Sequence, residues 1–365
     1  MRLLHFADLH LDMPFQWAGP ELARRRRQGL RDTLRRILEL AVRERVDAVL
    51  CGGDLYEQDL FSPDTTAFVC EAFAQVHPLP VRISPGNHDW YGPQSLYSQV
   101  RWSPNVHVFS TDRLEPLRLD DGVTLWGGAH LAPAGARDFL DGFTVDREGV
   151  HLGLFHGSER GDRAAFGEGR DPHAPFQAVD LVRAGLHHAF CGHYHRPRDA
   201  PRHTYPGNPD PLTFGEGGHR GAVIATVHAD GSVTRERHQV SSSEVHDLTL
   251  DVTGCASGQD IRERFAGLLG GRTGVARVTL TGEVAPHVEL TTACMDGAAP
   301  WMEAVLIRLN KVAVAYDLEA LAGEATVRGQ FVRAVRGADM TEDDRRRVIV
   351  TGLRALDGRD DLEVA

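Results

Sequence analysis

Pro80-Val81-Arg82-Ile83-Ser84-Pro85-Gly86-Asn87-His88-Asp89 runs from a short apolar segment straight into four residues that make poor core and good site material. Alone, a Gly-Asn turn followed by a solvated His-Asp pair is an ordinary loop. The reading gains weight because the same transition recurs. Arg2 to Ala7 leads into Asp8-Leu9-His10, and Asp47 to Cys51 into Gly52-Gly53-Asp54. Val150 to Phe155 ends at His156, and His188 to Cys191 at Gly192-His193-Tyr194-His195. Asp8 and His10 are two residues apart, so extended backbone points both to the same side. When a sheet is covered on its faces, the loops at the carboxyl ends of its strands are where sites are built. Five strand-like runs that all end in Asp, Asn or His are therefore read as one constellation.

Between these runs the pattern predicts helices. Residues 20–46 keep a helical period through Leu22, Leu30, Leu34, Ile37, Leu38 and Ala41. The polar face of that helix carries Arg24 to Arg27, Arg31, Arg35 and Arg36, read as solvated charge or as a phosphate-contacting patch. A second helix is expected over 64–76, with Phe68, Val69, Ala72, Phe73 and Val76 on one side. Residues 105–128 read as short strands, 159–177 as a surface loop, and 179–182 as a short helix. Strands return over 204–240. At Ser241-Ser242-Ser243 the texture changes, which divides the chain into domains 1–240 and 241–365. The second is expected to hold a strand (246–252), a helix (258–269), a strand (275–280) and a closing helix. Thr341 and Asp344 would cap that helix, with Val348, Ile349, Leu353 and Leu356 on its apolar side.

With 365 residues, 42% hydrophobic and 25% charged, the composition is that of a globular chain too long for one ordinary core. No apolar run is long enough to cross a bilayer. The first strand begins at Arg2, leaving no room for a leader, so a cytoplasmic location is expected. The five cysteines are dispersed and form no CxxC pair, which indicates neither a disulfide framework nor a thiolate metal site. A net charge of −11 argues against a surface that attracts nucleic acid everywhere, though not against local patches.

The constellation names a metal class. Carboxylate, amide oxygen and imidazole together suit Mn²⁺, Fe²⁺ or Zn²⁺. Seven candidate ligands (Asp8, His10, Asp54, Asn87, His156, His193 and His195) exceed what one ion needs, so two ions are inferred. Asp54, preceded by two glycines that let backbone come close, is the natural bridge. Two divalent ions against two carboxylates leave a net positive pocket that attracts phosphate. Such a pair, roughly 3.5–4 Å apart, generates a hydroxide nucleophile and stabilises in-line displacement, so phosphoester hydrolysis is the expected chemistry.

Asp8-x-His10, Gly53-Asp54, Gly86-Asn87-His88-Asp89, His156 and Gly192-His193-x-His195 resemble, in chain order, the five signature blocks of calcineurin-like metallophosphoesterases. The resemblance implies an α/β fold: a four-layer sandwich of two packed mixed β-sheets flanked by helices, with a smaller α+β capping domain. It implies one ion on Asp8, His10, Asp54 and His195, and another on Asp54, Asn87, His156 and His193. His88 would stabilise the transition state or protonate the leaving oxygen, with Asp89 orienting its ring. Leu4 to Asp12, Asp47 to Tyr56, and Tyr205-Pro206-Gly207-Asn208 are similar to SbcD-type DNA repair exonucleases. His246 to Val252 and Ala276 to Gly282 resemble the capping domain of the YhaO-like branch. That likeness implies DNA as substrate, Mn²⁺ as the foremost metal, an SMC-like ATPase partner and a homodimer, with helix 64–76 as a candidate surface. Glu57 departs from the pattern, since some members place a histidine three residues after the bridging aspartate.

Two other functions stay open: a phosphodiesterase or phosphatase of a small nucleotide-like substrate, favoured by the acidity, and an inactive scaffold, opposed by the complete ligand set. His5, His107, His151, His187 and His188 sit in strand patterns and read as structural. His130 could line the site, and Tyr205 and Asn208 could approach it from a return loop. Cys51 and Cys191 read as packing behind it.

Overall fold

The computed structural model describes residues 1–161, 172–288 and 290–358. Residues 162–171 of the expected surface loop, and 359–365 at the end of the second domain, lie outside the described residues. The chain divides into two compact units, Met1–Val245 and His246–Ala365. The change of texture at Ser241 precedes that division by a few residues.

In the first unit β1 (Arg2–Phe6), α1 (Pro20–Arg43), β2 (Ala48–Cys51), α2 (Pro63–Gln75), β3 (Val81–Ile83), α3 (Leu96–Gln99) and β4 (Val106–Val108) come first. Then follow β5 (Glu115–Asp120), β6 (Val123–Gly127), β7 (Val150–His156), α4 (Ala178–Arg183), β8 (His188–Gly192), β9 (Arg198–Asp199) and β10 (His203–Tyr205). β11 (Gly221–Val227) and β12 (Val233–Gln239) return to the first sheet. The two sheets have the orders β12-β11-β1-β2-β3-β4 and β5-β6-β7-β8-β10-β9. Both are mixed: β1 to β4 run parallel while β11 lies antiparallel to β1, and β6, β7, β8 and β10 run parallel between antiparallel β5 and β9.

Side-chain alternation along these strands builds the layers. Leu3 of β1 and Leu50 of β2 face Leu152, Leu154 and Phe190 of the other sheet. Their neighbours Leu4, Phe6, Val49 and Cys51 turn the other way, onto Leu30, Leu34 and Ile37 of α1 and Val69 and Phe73 of α2. Phe155, Ala189 and Cys191 cover the far face of the second sheet with Leu181 of α4, Phe139 and Phe176. This is the expected four-layer sandwich. Phe6 pairs with Cys51 and Cys51 with Ile83, so β1, β2 and β3 end at one level. His156 pairs with Gly192 at the corresponding ends in the second sheet.

Helix α1 stops at Arg43, three residues short of the expected span. Arg45 takes a left-handed conformation (φ 52°), and Val46 donates its N–H back to the Ala41 carbonyl. The arginine face of α1 is mostly paired within the unit. Arg25 meets Glu21, Arg31 meets Asp64, and Arg35 meets Asp32. Arg26 is buried and contacts Asp210 at 3.2 Å. The same carboxylate accepts from Thr33 Oγ1 (2.8 Å), from Ser243 Oγ (2.8 Å), and from the backbone N–H and hydroxyl of Ser242. Arg26 is thus a structural cation that ties α1 to the return segment, and it is no part of a surface patch. In α2, Val69, Ala72 and Phe73 are spent on the core.

The second unit holds β13 (Val245–Asp251), α5 (Gly258–Leu269), β14 (Val275–Val284), a 3₁₀ turn (Thr292–Met295), β15 (Ala304–Val314), α6 (Leu318–Gly323), α7 (Val327–Arg336) and α8 (Glu342–Leu356). Its sheet has the order β13-β14-β15, with Ile261, Phe265 and Leu269 of α5 packed in its core. β15, α6 and α7 had no counterpart in the sequence reading. Thr341 caps α8 as expected, its hydroxyl accepting from the Asp344 N–H. The apolar side of α8 needs correction: Ile349 and Leu353 are buried, whereas Val348 and Leu356 are exposed. Only this i, i+4 pair reaches Val332 and Val335 of α7, a stripe narrower than the one the pattern implied. Among the described residues no helix is long and apolar enough to cross a membrane.

Asp210→Ala leaves the Arg26 guanidinium buried and uncompensated. Breaking such a pair costs roughly 3–5 kcal/mol, while removing an exposed charge such as Arg24 changes stability by about 0.5 kcal/mol or less. Urea unfolding of the two variants beside the parent checks the contrast.

Candidate metal centre

The loops after β1 and β2 are zipped together by backbone hydrogen bonds. The N–H of Asp8 donates to Gly53 O, that of His10 to Asp54 O, and that of Leu11 to Leu55 O, each at 2.9 Å. Within this zipper Asp8 (φ 58°), His10 (φ 52°) and Asp54 (φ 52°) all take left-handed backbone, as does His193 (φ 107°) after β8. Such conformations cost of order 1–3 kcal/mol each and persist where surrounding structure enforces them, characteristically at functional sites. Gly53 sits at φ 97°, and a Cβ there would lie 2.7 Å from His156 Nδ1. A Cβ on Gly86 would collide with the Asp54 carboxylate. The glycines before Asp54 and Asn87 let these chains close on His156.

The result is a buried cluster of lone pairs. His156 Nδ1 lies 2.9 Å from the Gly52 carbonyl, so Nδ1 carries the proton and Nε2 is left bare whenever the ring is neutral. Nε2 faces Asn87 Oδ1 at 3.1 Å and Asp54 Oδ2 at 3.2 Å, both acceptors. His10 Nδ1 is held by Glu57 Oε1 and His195 Nδ1 by Glu216 Oε1, each at 2.7 Å. Their two Nε2 atoms meet at 3.1 Å, with Asp54 Oδ2 3.7 Å from His10 Nε2. Each aspartate has one oxygen tied to backbone: Asp8 Oδ1 accepts from the His193 N–H and Asp54 Oδ1 from the His88 N–H, both at 2.8 Å. Asp8 Oδ2 is buried and has no hydrogen-bond partner among the described residues. Acceptors pressed against acceptors need protons or cations between them.

The electrostatics say the same. Burial raises the Asp8 carboxyl above its usual range. Burial also works against Asp54, but His156 and His10 outweigh it and hold that carboxyl well below the usual range. The His156 ring is opposed by its burial yet pushed up to about 9 by Asp54 and Asp8. His195 is likewise raised, against burial, by Glu216 and Asp8. Glu57 and Glu216 are held at about 2, against burial, by the histidines they grip. Burial and the neighbouring His156 hold the His193 ring well below the usual imidazole range.

Six of the seven expected ligands therefore converge through direct contacts. Asp8, His10 and His195 can share one ion, and Asp8, Asp54 and His156 another, with one donor atom of each residue within 4.8 Å of the others. Asn87 joins through His156. The seventh, His193, sets its ring 5.2 Å from those of His156 and His173 and forms no side-chain hydrogen bond among the described residues. His88 stands at the rim with its side chain 45% exposed. The role expected of Asp89 is corrected. Its buried carboxylate accepts from the N–H groups of Gly86 (2.6 Å), Leu55 (2.7 Å) and Asp54 (3.0 Å) and from Tyr97 Oη (2.5 Å). Asp89 thus braces the loops, and the His88 ring is held by Glu57 Oε2 at 2.9 Å.

Sequence reasoning missed Glu216 altogether and gave Glu57 no role. Glu57 could be found from its place three residues after Asp54, whereas Glu216 reaches its histidine from 21 positions away. Asn208 approaches the centre at one remove, its amide donating to Glu216 Oε2 at 2.7 Å. Tyr205 supports the loop after β7, donating to Gly157 O at 2.6 Å. His130 lines the site from behind, with Nε2 2.7 Å from the His156 carbonyl.

Metal ions need neutral imidazoles, whereas the His156 ring, pushed up to about 9, holds a second proton at pH 7 in the metal-free protein, and His195 is raised in the same direction. Mn²⁺ binding at pH 7 is expected to release protons, and apparent affinity to climb with pH until about pH 9. Titration calorimetry in buffers of different ionisation enthalpy reads the proton count, and a pH-independent affinity would contradict it. Gly86→Ala, which displaces Asp54, is expected to weaken Mn²⁺ binding at least tenfold, at an overpacking cost of about 1–3 kcal/mol.

Residues 1–197 match the family described as Calcineurin-like phosphoesterase. A metallophosphoesterase of Bacillus subtilis strain 168, YhaO, described as uncharacterized, is 28% identical over 267 residues. That alignment spans 69% of this chain and 64% of the relative's length. Among solved structures, TT1561 of Thermus thermophilus aligns with 65% of this chain and 98% of its own at 12% identity, with a TM-score of 0.37. The family match covers the whole of the lone-pair cluster, from Asp8 to His195, and the chain belongs to the calcineurin-like phosphoesterase family.

Proposed function

We propose that the chain is a metal-dependent DNA nuclease that hydrolyses phosphodiester bonds in DNA repair, with Mn²⁺ as the foremost metal and Fe²⁺ or Zn²⁺ as substitutes. Asp8, His10, Asp54 and His195 would hold one ion, and Asp54, Asn87, His156 and His193 the other. The observation that carries the hydrolytic reading is the convergence of acceptor atoms on Asp54 Oδ2, beside an exposed histidine. When bound, the two ions supply Lewis acidity for phosphoryl oxygens and draw a nucleophile from water at neutral pH.

The protein's own groups do the rest. Asp54 Oδ2 lies between His10 and His156 and is placed to bridge. Glu57 and Glu216 fix the rings of His10 and His195 with Nε2 inward. His88, held through Nδ1, offers Nε2 for a hydrogen bond to a phosphoryl oxygen or a proton for the leaving oxygen. The DNA reading is supported by the likeness of the Leu4–Asp12 and Asp47–Tyr56 blocks to SbcD-type exonucleases, and by the separate second unit. An SMC-like ATPase subunit, a homodimer and a cytoplasmic location belong to the same proposal.

A second reading has its own support. The net charge is −11, and the arginines of α1 are largely committed to internal pairs, both of which favour a small nucleotide-like phosphodiester. Cleavage of a labelled linear duplex with Mn²⁺, beside a chromogenic phosphodiester, separates the two. The expected result is duplex degradation that falls about 10²–10⁴-fold in His88→Ala and is abolished in Asp54→Ala. Hydrolysis of the small ester alone, with and without a candidate ATPase, would transfer the assignment to the second reading.

A further inference from the structure

We propose that the cleft beside His88 is a nucleobase site, in which the indole of Trp90 stacks on the base of the nucleotide whose phosphate lies at the metal centre. The inference rests on the hydrolytic reading for the place of the phosphate and on the cleft itself for the base. The cleft has a volume of about 730 Å³, within the range of about 300–1,000 Å³ usual for small-ligand sites. Trp90 and Phe61 line it together with Gln58, Gln94, Gln99 and Asp59. It adjoins the rim histidine. The Gln58 N–H donates to His88 O at 2.8 Å. Trp90 follows His88 by two positions, which keeps their Cα atoms within about 7 Å of each other. One nucleotide can cover that separation, from a phosphate at the ions to a base over the indole.

Trp90 differs from the other tryptophans. Trp17, Trp102, Trp126 and Trp301 each donate the indole N–H to a partner within the chain. Among the described residues Trp90 has no such partner and meets no other ring. Buried indoles find a partner for the N–H, whereas Trp90, half-buried on the wall of a cleft, keeps both its face and its donor. Its mount is firm. The N–H of His88 is held by Asp54 Oδ1 and that of Tyr91 by His130 O, both at 2.8 Å. Across the cleft, Gln58 Oε1 accepts from Tyr56 Oη at 2.7 Å, and Phe61 meets the Tyr56 ring edge to face at 5.1 Å. The remaining walls suit a base and exclude a second phosphate. No cationic side chain lines the cleft, and Asp59 would repel an anion. The exposed amides of Gln94 and Gln99 offer donors and acceptors together, the combination that base edges present. A base stacked on Trp90 would set which phosphodiester of a strand meets His88.

The test is calorimetric titration of the full-length Mn²⁺-loaded protein with deoxyadenosine 5′-monophosphate and with deoxyribose 5-phosphate, which carries the same phosphate and no base. The parent is expected to bind the nucleotide about tenfold or more tightly than the sugar phosphate, with indole emission quenched as the base stacks. Trp90→Ala is expected to remove most of that preference while the affinity for the sugar phosphate stays in place. Trp90→Phe should keep part of the preference and lose the quenching. Equal affinities in the parent, no binding of either ligand, or an equal loss for both in Trp90→Ala would overturn the proposal. A 5′-phosphorylated dinucleotide with a methylphosphonate link tells the base of a strand from that of a free nucleotide. It should bind more tightly than the mononucleotide in the first case and more weakly in the second, and either result keeps the cleft as a base site. A parent that prefers the nucleotide yet hydrolyses no phosphodiester ends the hydrolytic reading and retains the base site. One that hydrolyses phosphodiesters without base preference does the reverse.

Discussion

The first unit is organised around an electrostatic demand: too many lone pairs in too little space. Asp54 Oδ2, Asn87 Oδ1 and the Nε2 atoms of His10, His156 and His195 crowd one another at 3.1–3.7 Å, all of them lone-pair atoms when the rings are neutral. Leaving even one buried polar group unsatisfied costs about 1–3 kcal/mol, more if it is charged. Such a cluster is tolerable only because positive charge belongs in its middle. Protons can supply part of it, as the raised His156 and His195 show. Two divalent ions, which this family binds, would supply the rest.

Everything around the cluster keeps it from relaxing. Parallel strands end at one level, so the loops after β1, β2 and β3 are delivered together. Four ligand-type residues are held in left-handed backbone, and Asp89 clamps three N–H groups of those loops from beneath. Gly53 and Gly86 are there because side chains at these positions would occupy the space of His156 and Asp54. The core's contribution is rigidity. Its two sheets and covering helices fix the loop origins, and the strain stored at the ends is the consequence.

The constellation was legible in the sequence because each ligand sits where an apolar run stops, a local signal that needs no knowledge of contacts. Helices α1, α2, α5 and α8 were legible for the same reason, through period or caps. What was not legible depends on pairs distant in sequence. Arg26 looked like its exposed neighbours because nothing near it announces Asp210. Glu216 lies in a turn, far from His195 along the chain. Asp89 adjoins His88 in sequence, which invited the idea that it orients that ring, yet adjacent side chains diverge here and Glu57 takes the place. α6 is a short helix with Leu321 buried, whereas β15 and α7 carry an apolar run and an apolar stripe (Val332, Val335) that the reading of this stretch passed over.

The account stands on the claim that this lone-pair cluster is a two-ion site bridged by Asp54. Crystals of metal-free protein soaked in MnCl₂ and measured at the manganese edge test it most directly. Two anomalous peaks are expected, both within coordination distance of Asp54, one also on His10 and His195 and the other on Asn87 and His156. A single peak, or none with the rings of His10 and His195 still in contact, would contradict it and leave a centre held together by protons.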